Sequence, residues 1–327
     1  MITVSDSTFM AVRRRLAAAL SDAGPAGAPR PLEISERGAR EAPAIREATV
    51  IEGDRLTARA VPGAPEPRFD AFLDGSQITL VARWHEAVPI VHGSVAAAIR
   101  QRRGRRLTTW GSPIVRRALY APLPLLPKAV SRALDSAGID IVDTLARRDA
   151  PSSHPFALQD VAYQCVMADR ERVEQELAAQ WCSAERGLLF IDGGIAASAT
   201  VARATNVVGV VKSHQTLYAA ADDLGVVTSL KSGERSSVMR VEGTARPAVA
   251  SWYLRTADAA GRDPFWGLVR VEVSLDADAQ GAALTGRADE VSRWVLAEKL
   301  PLSVPDPRWD RMAYGIRDTE EYLRAVQ

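Results

Sequence analysis

The stretch FDAFLDGSQITLVARW, Phe69–Trp84, decides how this chain is read, and FIDGGI, Phe190–Ile195, is its near-twin about a hundred residues on. Each closes an apolar run with Asp-Gly, Asp74-Gly75 and Asp192-Gly193, as a strand does when it delivers a carboxylate to the rim of a sheet. Two readings are open. Asp bonds nearby backbone and Gly supplies a positive φ, so each pair can be an ordinary turn. Alternatively, Asp74 and Asp192 converge on one site. The spacing predicts FDAFLDG and QITLVARW as two strands either side of a tight Gly75-Ser76 turn, with AVPIVHG following, the opening meander of a sheet.

Outward from these motifs, Phe156 to Trp181 carries a helical pattern with Ala162, Val166, Val173, Leu177 and Trp181 on one side. It runs into GLLFIDGG and then NVVGVVKS, two apolar runs of buried-strand type. SSVMRVEG, VASWYLRTA and GLVRVEVSL read as strands, and DEVSRWVLAEKL and RDTEEYLRAV as helices. Leu107 to Leu145 reads as mixed structure with helix toward its end at SAGIDIVDTLARR. Helix, strand, strand is an α/β signature.

At the N-terminus, Phe9, Val12, Leu16 and Leu20 repeat at helical spacing between arginines, predicting an amphipathic helix that docks on something. Gly24 to Pro67 is rich in Pro, Ala, Glu and Arg and reads as a linker with a short strand at Ala48 to Ile51. The expected organisation is an N-terminal helix and linker over 1–67 and a catalytic α/β domain over 68–327. No run of eighteen apolar residues occurs, so no membrane span is expected, and with Cys165 and Cys182 the only thiols the expected compartment is the cytoplasm. The net charge of +1 argues against a polybasic binder, yet Arg100, Arg102, Arg103, Arg105 and Arg106 crowd into RQRRGRR.

Oxygen ligands gathered at strand ends suit hard divalent cations such as Mg²⁺ or Mn²⁺. Two carboxylates hold such an ion weakly. The helix before Asp192 offers Glu171, Glu174 and Glu176 in ADRERVEQEL, and Glu171 and Glu174 share a helical face. A solvated face laced with Arg170 and Arg172 is the bland alternative. Lys212, at the end of GVVKSH, is placed to hold a phosphate or a developing negative charge beside such a site, with His214 and Tyr218 following.

The ordered set FLDGS, ADRERVEQEL, LLFIDGG, VVGVVKSHQTLY, SWYLR and GLVRVEV resembles the NurA nuclease family over Phe69 to Gln327. The resemblance implies an RNase H-like mixed sheet flanked by helices, a toroidal homodimer, Mn²⁺- or Mg²⁺-dependent cleavage of DNA, and partnership with a HerA-type hexameric ATPase. Residue by residue, it implies Asp74 as the first acid, Asp192 as the third, Glu174 between them with Glu171 as the alternative, and Lys212 as the basic residue after Asp192. The family's C-terminal histidine has no counterpart in PLSVPDPRWDRMAYGIRDTEEYL. Asp310 stands roughly in its place with Tyr314 close by, so the fourth member of the site is open.

The mechanism this implies is phosphodiester hydrolysis with two metal ions. Arg100, Arg102, Arg103, Arg105 and Arg106, with Lys212 and His214, are the expected DNA contacts, because Arg and Lys carry the sequence-independent part of DNA binding. Two other readings are an adaptor subunit of the same fold that has lost its metal, and an actin-like ATPase or kinase, which also sets Asp-Gly turns around phosphates. Against the last, no GxxxxGK[ST] loop is present.

Overall fold

Residues 71–85 form one unbroken strand where two were expected. The computed structural model describes residues 11, 14, 30–31, 43–136, 140–146, 153–220, 222–243, 246–275, 281–299 and 312–327. The residues of the expected N-terminal helix, Phe9, Val12, Leu16 and Leu20, lie outside the described residues, as does Asp310. The strands are β1 (Arg30–Pro31), β2 (Ala44–Ile45), β3 (Thr49–Val50), β4 (Ala58–Ala60), β5 (Ala71–His85), β6 (Val88–Arg103), β7 (Arg106–Ala121) and β8 (Ile141–Asp143). They continue as β9 (Leu189–Asp192), β10 (Val207–Val211), β11 (Thr216–Leu217), β12 (Glu234–Ser236), β13 (Met239–Gly243), β14 (Arg246–Arg255) and β15 (Leu268–Ser274). The helices are α1 (Lys128–Ser136), α2 (Pro155–Ala184), α3 (Ala199–Ala202), α4 (Asp222–Ser229), α5 (Ala282–Glu298) and α6 (Tyr314–Val326).

The expected Gly75-Ser76 turn is absent: both residues sit in the ladder, paired with Ala97 and Ala96 of β6. The chain reverses instead after β5, where Glu86 takes a positive φ of 50°. The helix expected toward the end of 107–145 also moves. It precedes SAGIDIVD as α1, while Ile141–Asp143 is claimed by the edge of the sheet, pairing in parallel with Leu119–Ala121 of β7.

β5, β6 and β7 make an antiparallel meander, α2 crosses over, and β9 and β10 extend the sheet from β5 in parallel. The central order is therefore β7-β6-β5-β9-β10, an RNase H-like mixed sheet flanked by helices. β15, β14, β13 and β3 extend it antiparallel beyond β10. Within the stretch read as linker, β3 pairs with β13 and β4 with β12, so residues 43–67 contribute strands to the main sheet. A buried ion network holds them there: Arg235, fully buried, donates to both Glu52 oxygens at 2.7 and 2.9 Å and to Asp289 of α5 at 2.6 Å. Removing one member would leave a buried charge unpaired, which costs about 3–5 kcal/mol.

Alternation along the strands assigns the faces. Ala71, Leu73, Val95 and Ala97 pack against α2, whose Ala162, Val166, Val173, Leu177 and Trp181 are all buried, as their helical spacing predicts. Phe72 and Phe190 point the other way, into α5 and α6 through Val291, Trp294 and Ile316. Each such side chain, fully buried, is worth about 1.5–3 kcal/mol. No helix among the described residues is long and apolar enough to cross a membrane.

Candidate metal centre

Because Phe72 and Phe190 face α5 and α6, the same two-residue period turns Asp74 and Asp192 toward that side of the sheet. Parallel pairing of β5 with β9 sets Leu73 opposite Ile191, so the two aspartates follow at the same level. Asp192 is the last residue of β9, where the chain can leave the sheet. Asp74 is the fourth residue of a strand of fifteen and is 6% exposed. Its Oδ1 accepts the Gly75 N–H at 2.8 Å, which fixes the carboxylate against its own strand.

Glu320 of α6 completes a cluster: Asp74, Asp192 and Glu320 offer carboxylate oxygens that all lie within 4.8 Å of one another. Glu320 was missed in the sequence, yet a signal was there. Ile316, Thr319 and Leu323 form the buried stripe of α6, and Glu320 stands four residues after the first and three before the last, a position where an apolar residue is expected. Arg317 and Arg324 approach its Oε2 at 3.7 Å.

Glu174 approaches from α2 on the opposite face, outside the 4.8 Å group but near enough for its charge to act on Asp74 and Asp192. A Cβ on Gly75 would fall 1.9 Å from Glu174 Oε1, so the glutamate occupies the volume that a side chain at 75 would need. Gly75 is in the sequence for that space and not for a turn. Glu174 also accepts from Arg170 at 2.8 Å. Glu171 lines the cavity beside it, and Glu176 turns to Arg116 on β7 at 2.6 Å.

Lys212, just beyond β10, donates from Nζ to Asp192 Oδ2 at 2.8 Å. It pairs with Asp192 as Arg170 pairs with Glu174, while Asp74 has no ion pair of its own among the described residues, and the electrostatics follow. Burial, and then the Asp192 charge, push the Asp74 carboxyl well above the usual carboxylate range, with Lys212 opposing. Burial likewise raises Glu174 to about 7 against the pull of Arg170, and Glu171 and Asp192 add to the rise. Carboxylates that resist ionisation through crowding and burial are relieved by a cation placed between them.

The donor set fits a hard divalent ion. All donors are carboxylate oxygens, and oxygens sharing one cation at about 2.0–2.6 Å sit at most about 4–5 Å apart, the spread seen here.

No family model matches the chain, and no curated protein does. The chain is similar to a solved nuclease structure. That structure is the crystal structure of the NurA nuclease from Sulfolobus solfataricus, with 9% identity, a TM-score of 0.48, and coverage of 82% of this chain and 81% of that chain. A likeness of that size assigns no residue, and the reading of the site rests on its own geometry.

The arginine-rich stretch does not gather at these carboxylates. Arg100 is spent on α6, donating to Asp318 at 2.6 Å, to Thr109 and to the Leu107 carbonyl, with Tyr322 under its guanidinium at 4.8 Å. Arg102 forks onto Glu298 of α5 at 2.7 and 2.9 Å and onto the Phe69 carbonyl. Both extend from the β6 face that α5 and α6 cover, where acids on those helices meet them. Arg103, Arg105 and Arg106 are exposed at the β6–β7 hairpin. Antiparallel pairing of Ala71 with Gln101 sets that hairpin beyond the start of β5 and β9, at the opposite end from Asp192. The His214 ring stacks on Phe265 at 5.0 Å and its Nε2 lies 3.0 Å from the Leu268 carbonyl oxygen, a packed position.

Proposed function

We infer that this protein is a divalent-metal-dependent nuclease that hydrolyses phosphodiester bonds of DNA. The observation that carries the reading is the convergence of Asp74, Asp192 and Glu320 within 4.8 Å, with Glu174 inserted at Gly75 and Lys212 on Asp192. The order of motifs resembling the NurA family supports the same substrate.

In this reading Asp74, Asp192, Glu320 and Glu174 hold Mn²⁺ or Mg²⁺, as two ions, and Glu320 takes the place left open for Asp310. When bound, such ions supply Lewis-acid stabilisation of phosphoryl charge and an activated water. The protein's own part is positional. Asp74 is locked by the Gly75 N–H, Asp192 is aimed by Lys212, and Glu174 is confined by α2 and the β5 backbone. Lys212 also offers its ammonium to the non-bridging oxygens of the phosphate. Arg103, Arg105 and Arg106 remain available for duplex backbone away from the carboxylates, while Arg100, Arg102 and His214 act through the fold.

A homodimer working with a HerA-type hexameric ATPase, in DNA end processing or defence against foreign DNA, completes the proposal. The test is incubation of purified protein with labelled linear and circular DNA in Mn²⁺, Mg²⁺ or EDTA. Cleavage that needs metal and disappears in Asp192→Asn is expected. No cleavage under any metal, or cleavage unaffected by EDTA, overturns the reading. Light scattering, alone and with the ATPase added, tests the assembly.

A further inference from the structure

A cavity of about 600 Å³ opens behind Asp192 on the α2 face and extends well beyond the metal centre. Asp192 and Glu174 belong to its wall while Asp74 and Glu320 do not, so cavity and carboxylate cluster share one partition. Further along the wall stands Tyr218, with the Arg270 guanidinium over its ring at 4.9 Å from the centroid. Both are held. Arg270 donates to Ser251 Oγ at 3.1 Å and pairs with Glu272, and the Tyr218 backbone N–H donates to the buried Tyr253 hydroxyl at 2.9 Å. A buried arginine ion pair adds little net stability over apolar packing, so this set is better explained by the ring it orients. The mouth carries two further arginines, Arg46 and Arg246, both exposed.

Arg46, Arg170, Arg246 and Arg270 line the cavity together with Glu171, Glu174, Asp192 and Glu272, so its lining as a whole is charge-balanced. It is not a track for a run of phosphates. It suits a ligand with a flat aromatic part for Tyr218 and an anionic end for the rim arginines. The volume falls within the range of small-molecule pockets. As a sphere it would be about 10 Å across, narrower than the roughly 12 Å major groove of a duplex alone.

Resting on the nuclease reading, we propose that this cavity is a base-binding subsite. It takes the nucleotide next to the scissile phosphate, its base unstacked onto Tyr218 and its outer phosphate at Arg46 and Arg246. The strand being cut is therefore unpaired at that position. Stacking on a fixed aromatic ring, backed by a cation, is the sequence-tolerant way to hold a single-stranded base.

The test is equilibrium binding in EDTA, read by fluorescence anisotropy, of a short labelled single strand, the same strand with abasic positions, and a blunt duplex of equal length. Tyr218→Ala is expected to weaken single-strand binding roughly ten-fold. Tyr218→Phe, which keeps the ring, restores most of that loss and controls for folding. The abasic strand should bind wild type and Tyr218→Ala alike. Arg46→Ala with Arg246→Ala should weaken binding and flatten its salt dependence. If the protein cleaves DNA with metal but a folded Tyr218→Ala binds every single strand like wild type, the subsite is wrong and the nuclease reading stands. If wild type neither binds nor cleaves any DNA, the nuclease reading falls, and this inference with it.

Discussion

Asp74-Gly75 and Asp192-Gly193 look alike in the sequence and do different work in the fold. Gly193 follows the end of β9 with φ of 143°, a value L side chains rarely adopt, and a Cβ there would meet nothing within 4 Å. It is a backbone glycine that lets the chain leave the sheet past Asp192. Gly75 lies within a fifteen-residue strand, has no positive φ, and is defined by Glu174 Oε1 in the space of its missing side chain. One glycine supplies a conformation and the other a vacancy. The same dipeptide can thus end a strand or pass through one, and only the element packed above it decides which.

The largest effects should fall on the shared half of the comparison, the aspartates. Asp74→Asn and Asp192→Asn are each expected to lower metal-dependent cleavage by more than the roughly 10–100-fold typical of an outer-shell partner, with Glu320→Gln close behind. Cleavage assays on folded variants check this. A Glu320→Gln protein as active as wild type would remove the C-terminal helix from the site.

The glycines should then separate. Gly75→Ala drives a methyl group into Glu174, so it should cost about 1–3 kcal/mol as overpacking and displace the glutamate, lowering cleavage as well. Combining it with Glu174→Asp, which withdraws the carboxylate by one methylene, should recover part of the stability in a double-mutant cycle. Gly193→Ala meets no side chain and should cost about 1 kcal/mol through backbone strain alone. Denaturant titration of wild type, the two glycine variants, Glu174→Asp and the double variant breaks the comparison if the two single glycine variants respond alike and no coupling to Glu174 appears.

Next in size is a pH effect. Glu174 titrates in the fold at about 7 against 4.5 for the free side chain, so between those values the folded state holds the proton more tightly than the unfolded chain. Stability of the metal-free protein should therefore fall as pH rises from about 4.5 to 7 and level off above, by about 3 kcal/mol from this group. Asp74, shifted in the same direction, adds to the trend. Melting temperatures in EDTA across pH 4.5–8 should show that slope reduced in Glu174→Gln, and added Mn²⁺ should restore stability at the alkaline end. A slope unchanged by Glu174→Gln would take this carboxyl out of the crowded set.

The arginines divide as well, down to the smallest effect of all. Arg100→Ala removes the ion pair to Asp318 and the contact with Tyr322 that seat α6, and should cost about 1.5–3 kcal/mol with reduced cleavage through a displaced Glu320. Arg103→Ala, Arg105→Ala and Arg106→Ala together should stay within about 0.5 kcal/mol in stability. Thermal melts of both variants check the difference.

Periodicity made much of this architecture legible. The side of α2 that carries Val173, Leu177 and Trp181 could be read from spacing, as could the strands at GLLFID, NVVGVV and GLVRVEV, because one buried face imposes one period. The Gly75-Ser76 turn was misread because local chemistry favours a turn at Asp-Gly, while ladder bonds to β6 and the pressure of α2 on this strand are non-local. Two members of the arginine cluster have partners that the sequence did not disclose, for a related reason. A run of like charges looks solvated until Glu298 and Asp318, some two hundred residues away, claim alternate members.

By itself the sequence determined the alternation of strand and helix, the two Asp-Gly marks, and an acid-rich helix before the second of them. These are local features, set by side-chain period and backbone preference. Tertiary structure alone decided which acids meet. It set Asp74 level with Asp192 through parallel pairing, brought Glu174 into the gap at Gly75, and laid α6 across β5 so that Glu320 joined the two aspartates. Those choices belong to register and helix packing, where contacts between residues far apart in the chain outweigh what any short segment prefers.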